Sequence, residues 1–193
     1  MSKIFFLIGG ARSGKSEYSE QLATSISGRV AYLATARIID DEMKKRIDYH
    51  RKRRPESWKT FELEKDIIEI GEVRDIFSKI ISENFEVVVI DCITNLLFRL
   101  IYRYNLDNIE IIDNTLEKEI EREAGSFFEK FLEILKGCNL KIIIVSNEVG
   151  LGVVPPYPFG RIFRDLMGIV NKRIAAASDE VYFFMAGLMQ RMK

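Results

Sequence analysis

Residues Gly9-Gly10-Ala11-Arg12-Ser13-Gly14-Lys15-Ser16 join glycines, a lysine and a hydroxyl at the spacing G-x-x-x-x-G-K-[ST]. Glycines there let backbone amides turn inward around phosphate oxygens. Lys15 would set a point charge on the β and γ phosphates of a nucleoside triphosphate, and the Ser16 hydroxyl would ligate Mg²⁺. A chance match is the alternative. Context opposes it: an apolar strand precedes the motif, and a helix follows whose positive end faces the anion. Asp91 closes the apolar run EVVVID. An acid at such a strand end in a P-loop protein binds Mg²⁺, directly or through water. Capping of the next helix is the alternative role.

His50 is the chain's single histidine. Met43, Ile47 and His50 are spaced i, i+4, i+7 and share one face of a helix. Arg46, Arg53 and Arg54 flank that face, and a cationic neighbourhood disfavours imidazolium. A neutral imidazole beside a triphosphate is a phosphorus nucleophile. Two other readings stand at this point. His50 is a packing residue on a solvated basic helix end, or the basic run touches nucleic acid.

These groups need a scaffold. Lys3–Ile8, Val30–Ala34, Glu86–Asp91, Lys141–Ser146 and Glu180–Met185 read as strands, with Thr60–Leu63 as a short one. Lys15–Ile26, Asp40–Arg54, Asp66–Ser82, Asn95–Tyr104, Ile109–Lys136 and Gly160–Ala177 read as helices, with Gly28 and Gly137 as stops. Apolar strands alternating with helices predict an α/β fold with a mostly parallel sheet, covered by helices on both faces. Ligands of such sheets bind beyond the carboxyl ends of the strands. The turns after Ile8, Ala34, Ile90 and Val145 are therefore expected to line the site. The stretch Asn147–Pro158 reads as a loop, either a substrate lid or a rigid connector. Trp58 reads as a packing anchor and Cys92 as a buried strand-end residue. The apolar stripe of the Ile109–Lys136 helix reads as core or subunit interface.

The 193 residues suit one domain spanning 1–193. The 29 basic and 29 acidic side chains cancel, which argues against a nucleic-acid or anionic-membrane coat protein. Cys92 and Cys138 have no metal-ligand spacing and form no disulfide framework, so a reducing, cytoplasmic setting is expected. No apolar run is long enough to span a bilayer, and Met1–Ile8 is too short for a signal-peptide core.

The phosphate loop is followed by Tyr32-Leu-Ala-Thr-Ala36, by Asp41-Glu-Met43 with Arg46-Ile47, His50 and Arg54-Pro55, and by Trp58 and Asp91-Cys-Ile-Thr94. Ser146-Asn-Glu-Val-Gly150, Gly152, Val154-Pro155, Arg161, Phe163-Arg-Asp165, Gly168, Asn171 and Ala175–Glu180 come next. In this order the chain resembles the bifunctional adenosylcobinamide kinase / adenosylcobinamide-phosphate guanylyltransferase family of cobalamin biosynthesis. The resemblance implies a P-loop NTPase fold of the RecA-like type and two reactions. The first phosphorylates adenosylcobinamide with ATP or GTP. The second moves GMP from GTP onto that phosphate through a GMP-histidine intermediate, giving adenosylcobinamide-GDP and pyrophosphate. His50 matches the family's histidine, and Lys15 serves the phosphoryl step. Nucleotide contacts map onto Gly9, Gly10, Ala11, Arg12, Ser13, Gly14, Lys15, Ser16, Thr35, Ala36, Arg37, Arg51, Lys52, Arg53, Arg54, Glu62 and Asp91, with Mg²⁺ on Ser16 and Asp91. A corrinoid substrate and a homotrimer are also implied. The short stretch after Thr94 and the segment Gly187–Lys193 depart from the family pattern. A P-loop kinase of another small alcohol, without guanylyl transfer, is the runner-up. A non-catalytic nucleotide-binding module is a third reading.

Overall fold

The computed structural model describes residues 2–37, 41, 45, 47, 51, 54–106 and 112–193. Its strands are β1 (Lys3–Gly9), β2 (Val30–Ala34), β3 (Lys59–Glu62), β4 (Val87–Asp91), β5 (Lys141–Asn147), β6 (Glu180–Met185) and β7 (Leu188–Arg191). Its helices are α1 (Lys15–Ile26), α2 (Ile70–Ser82), α3 (Ile93–Ile101), α4 (Asn114–Gly137) and α5 (Pro158–Ala177), with a 3₁₀ turn at Tyr102–Tyr104. All seven strands form one sheet, ordered β3-β2-β4-β5-β1-β6-β7. Every pairing is parallel except β6 with β7. β5 stands between the strand that leads into the phosphate loop and the strand that ends in Asp91. The mostly parallel sheet, with helices packed on both faces, is the architecture expected.

Alternation along the strands sends successive side chains to opposite faces. On one face Ile4, Phe6, Leu33, Val88, Ile90, Ile142 and Ile144 pack against the apolar sides of α2, α3, α4 and α5. On the other, Phe5, Leu7, Tyr32, Val89, Ile143 and Val145 pack against Ala23 of α1 and against Trp58. Trp58 is buried there, its ring 6.4 Å from that of Tyr32, as a packing anchor should be. Most of the α4 stripe faces the core: Ile120, Phe127, Phe131 and Leu135 are all buried.

α1 keeps its expected bounds, Lys15–Ile26, with the extended Ser27 as its cap just before Gly28. Several other boundaries differ from expectation. The helix expected from Asp66 starts at Ile70, after the extended cap Glu69. The Glu72 carboxylate explains the delay: it accepts from the backbone amides of Glu64 at 2.5 Å and Lys65 at 3.3 Å, stabilising a turn there. α3 begins two residues before Asn95 and ends at Ile101, passing into the 3₁₀ turn Tyr102–Tyr104, which stops where Asn105 takes a left-handed φ of 48°. α4 starts at Asn114, later than the expected Ile109, which lies outside the described residues: Ile112 and Asp113 are not helical, and Asp113 is the cap, its carboxylate accepting from the amides of Thr115 and Leu116 at 2.8 Å. α5 opens on Pro158, where a missing amide hydrogen costs nothing. In the predicted Asp40–Arg54 helix, Asp41, Lys45, Ile47 and Arg51 are helical, and the remaining positions before Arg54 lie outside the described residues. β7 was not foreseen. It is entered through Ala186 and Gly187, with φ of 52° and 80°, the signs that a two-residue hairpin turn requires.

Candidate active site

The register brings the expected turns to one edge. Gly9 pairs with Asn147, and Asp91 lies between Ala34 and Val145. The phosphate loop leaves β1 here. A Cβ on Gly9 would stand 2.2 Å from the Phe184 carbonyl oxygen, so only glycine lets β1 and β6 approach this closely. Gly14 has a φ of 93° and caps α1, its carbonyl accepting from Tyr18 N at 3.0 Å. The loop's amides and the α1 N-terminus thus share one concavity, the arrangement that attracts phosphate.

Lys15 is buried inside the loop, where Nζ donates to the carbonyls of Gly9 at 2.9 Å and Gly10 at 2.6 Å. Burial lowers its pKa, and the carboxylate of Asp91 is among the charges that oppose the fall. A triphosphate would exchange these carbonyls for stronger, charge-assisted partners. Ser13 is buried beside the ammonium, and Arg12 adopts a left-handed φ of 56°.

Asp91 accepts from the Tyr32 hydroxyl through Oδ2 at 2.8 Å. Burial raises the Tyr32 pKa well above its usual value, and Asp91 adds to the rise, so this tyrosine stays a donor. The pair Ser16 and Asp91 offers a hydroxyl and a carboxylate, hard oxygen donors that suit Mg²⁺ bound also to phosphate. Among the described residues no group of three His, Cys, Asp or Glu could hold a metal by itself. An ion here would need the phosphates as ligands.

The second set of expected contacts lies around the ends of the 38–58 connection. Thr35 is fully buried, its Oγ1 donating to the Cys92 carbonyl at 2.7 Å and accepting from the Cys92 amide at 2.6 Å. Its hydroxyl is therefore committed to bracing β2 against the end of β4. The Ala36 carbonyl accepts from Arg99 at 3.0 Å. Arg37 pairs with Asp66 at 2.8 Å and stacks on Tyr102 at 4.6 Å. Arg51 is paired with Glu62, so two expected nucleotide contacts meet each other. Arg54 lies over the Tyr32 ring at 3.4 Å and donates to Thr60 Oγ1 at 3.3 Å. His50, Lys52 and Arg53 lie outside the described residues.

Two residues at the site escaped the sequence reading. Tyr32 sits in an apolar strand, where nothing marks its hydroxyl. Arg99 is buried in α3, three positions after Leu96 on the core side. An arginine at core spacing must find several acceptors, and that was the missed signal. Cys92 is buried, and burial pushes its thiol up to about 11, which suits an inert strand-end residue. Beyond β5, Glu148 N donates to the Gly9 carbonyl at 3.0 Å, so the following loop starts against the phosphate loop. Leu151 and Val153 in that loop are exposed, while its end is held by Arg161 on the Pro155 and Pro156 carbonyls.

A parallel sheet presenting this loop, lysine and strand-end aspartate defines a P-loop nucleotide-handling protein. Residues 5–192 match the family described as cobinamide kinase / cobinamide phosphate guanyltransferase. The bifunctional adenosylcobalamin biosynthesis protein CobU of Escherichia coli (strain K12) is 35% identical over 190 residues, covering 98% of this chain and 99% of its own. The protein of the same description from Salmonella typhimurium is 32% identical with the same coverage. The bifunctional adenosylcobalamin biosynthesis protein CobP of Pseudomonas aeruginosa is 36% identical over 187 residues, 97% of this chain and 95% of its own. Among solved structures, a KaiC-like protein from Pyrococcus horikoshii OT3 aligns with 94% of this chain and 70% of its own, with a TM-score of 0.47 and 10% identity. The chain belongs to the cobinamide kinase / cobinamide phosphate guanyltransferase family. It is an enzyme of cobalamin biosynthesis that joins a kinase and a guanylyltransferase activity.

Proposed function

We propose that the kinase step uses ATP or GTP at the phosphate loop, and that guanylyl transfer runs through GMP bound covalently to His50. The observation that carries the reading is the placement of the phosphate loop after β1 and of Asp91 at the end of β4 on the same carboxyl edge of the sheet, in a chain of this family. In the first step the aminopropanol hydroxyl of adenosylcobinamide attacks the γ-phosphorus and the nucleoside diphosphate leaves. Positioning and charge neutralisation do most of the work in such a transfer. Lys15 and the loop amides hold the phosphates for it. Ser16 and Asp91 would hold Mg²⁺, which neutralises charge on the β and γ oxygens when bound.

In the second step the imidazole of His50 attacks the α-phosphorus of GTP. A P–N bond forms and the P–O bond to pyrophosphate breaks. An oxygen of the corrinoid phosphate then attacks the same phosphorus, and protonated imidazole leaves. The basic run Arg51–Arg54 supplies cations for the departing pyrophosphate. Glu62 orients Arg51, and the remaining nucleotide contacts are Gly9 to Ser16 and Thr35 to Arg37. We place this single-domain enzyme in the cytoplasm as a homotrimer, in keeping with the family pattern. Among the described residues no helix is long and apolar enough to cross a membrane.

The test is retention of label. With Mg²⁺ and GTP labelled at the α-phosphorus, the denatured protein keeps acid-labile, alkali-stable label, and His50→Ala loses it while still transferring the γ-phosphoryl group. Unlabelled wild-type protein that still makes adenosylcobinamide-GDP would show direct transfer instead.

A further inference from the structure

The 38–58 connection carries His50, leaving the sheet at the end of β2 and rejoining it at the start of β3. Its outgoing end, Thr35–Arg37, lies close to the 63–69 turn that follows β3. Arg99 is 4% exposed and spans the two. Its Nε donates to the Thr35 carbonyl at 2.9 Å, its Nη2 to the Ala36 carbonyl at 3.0 Å, and its Nη1 to the Lys65 carbonyl. All three guanidinium nitrogens are thus used on main-chain oxygens of two separate segments. The Arg37–Asp66 pair links the same segments from the solvent side. Burial pulls the Arg99 pKa down, and the carboxylates of Glu72 and Asp66 hold it up. Lysine cannot reproduce this planar fork, since its single nitrogen meets three carbonyls that point from different directions.

We propose that Arg99 is the positioning residue of the guanylyl half-reaction, tying Thr35 and Ala36, at the root of the connection whose sequence carries His50, to the 63–69 segment. The proposal rests on the His50 reading above. The kinase half depends on Lys15, Ser16 and Asp91, none of which Arg99 touches. Arg99 meets that machinery only indirectly, through Thr35, whose amide donates to the Asp91 carbonyl at 3.1 Å, so a loss here is expected to fall more heavily on the guanylyl half than on the kinase half.

Arg99→Lys keeps the charge and most of the volume. Three quantities are read on the full-length variant and the wild type. These are formation of adenosylcobinamide-GDP, transfer of the γ-phosphoryl group, and the map of limited trypsin cleavage. Guanylyl transfer is expected to fall about 30-fold through kcat, while γ-phosphoryl transfer stays within about threefold. Tryptic cleavage rises inside 38–54, where lysines and arginines are dense, and stays unchanged inside 114–137. Equal loss of both activities, or cleavage rising throughout the chain, reduces Arg99 to a general stabiliser and overturns the proposal. Unchanged guanylyl transfer overturns it as well.

Should Arg99→Lys not fold, Asp66→Asn removes the exposed tie between the same segments. A fall of about threefold in guanylyl transfer alone supports the proposal, and no change refutes it. Absence of α-label on the wild type would sink the covalent His50 step. It would leave the ratio of the two activities, and the trypsin map, to judge Arg99.

Discussion

At the phosphate loop, position is written into the backbone. Gly9 permits a close strand approach, Gly14 takes a φ of 93°, and Lys15 is held by two neighbouring carbonyls. All of this lies within eight consecutive residues. The mouth of the 38–58 connection is built in the opposite way. Arg37 reaches Asp66, Arg51 reaches Glu62, Arg54 covers Tyr32, and Arg99 joins Thr35 to Lys65. Long side chains from distant parts of the chain do there what glycines do in the loop. The first design is local, and at Gly9 it leaves no room for an added methyl group. The second is distributed, and each contact contributes little by itself.

The largest effect should follow from Lys15→Ala. It removes the charge aimed at the phosphates, and γ-phosphoryl transfer should fall about 10³-fold with little change in folding. A loss under tenfold would break the comparison, because the loop would then not depend on its one committed side chain. Gly9→Ala sharpens it. The new methyl group must push Phe184 away, and urea unfolding should show a loss of about 1–3 kcal/mol. Wild-type stability would mean that β1 and β6 can part freely.

Cys92 lies where the two regions meet, through Thr35. Its thiol is raised from the ordinary 9 to about 11 by burial. The native state therefore keeps this proton where the unfolded chain gives it up. Stability is whole below pH 9 and declines as pH climbs through 11, by about 2–3 kcal/mol for this thiol. Cys92→Ala should flatten that decline in denaturant titrations at successive pH values. The smallest effect belongs to Glu62→Gln. The Arg51–Glu62 pair is solvent-exposed, so thermal unfolding should shift by the equivalent of less than about 1 kcal/mol. A larger shift would show that the mouth has a dominant contact after all.

This contrast also explains what could be read in the sequence. The phosphate loop, Asp91 and the strands β1, β2, β4 and β5 were legible, since each signal is a short run of adjacent residues. The start of α2 was hidden because Glu72 satisfies the turn before it from within the helix. β7 was hidden because all four of its residues are exposed, leaving no apolar alternation to find. Arg99 and the Tyr32 hydroxyl were missed for a deeper reason. Their partners are named only by the fold, and no spacing in the chain points from residue 99 to residues 35 and 65. Nothing in the spacing paired Arg51 with Glu62 either, though both were named as contacts.

The place of β1 in the sheet has a consequence for synthesis. The strand that leads into the phosphate loop is made well before its sheet neighbours, residues 141–147 and 180–185. While the ribosome is still translating the middle of the chain, β1 has no edge to join. A nascent chain carrying the whole loop motif therefore has no triphosphate site. Competence to bind nucleotide arrives late and abruptly, when the distant strands emerge and close around the first one.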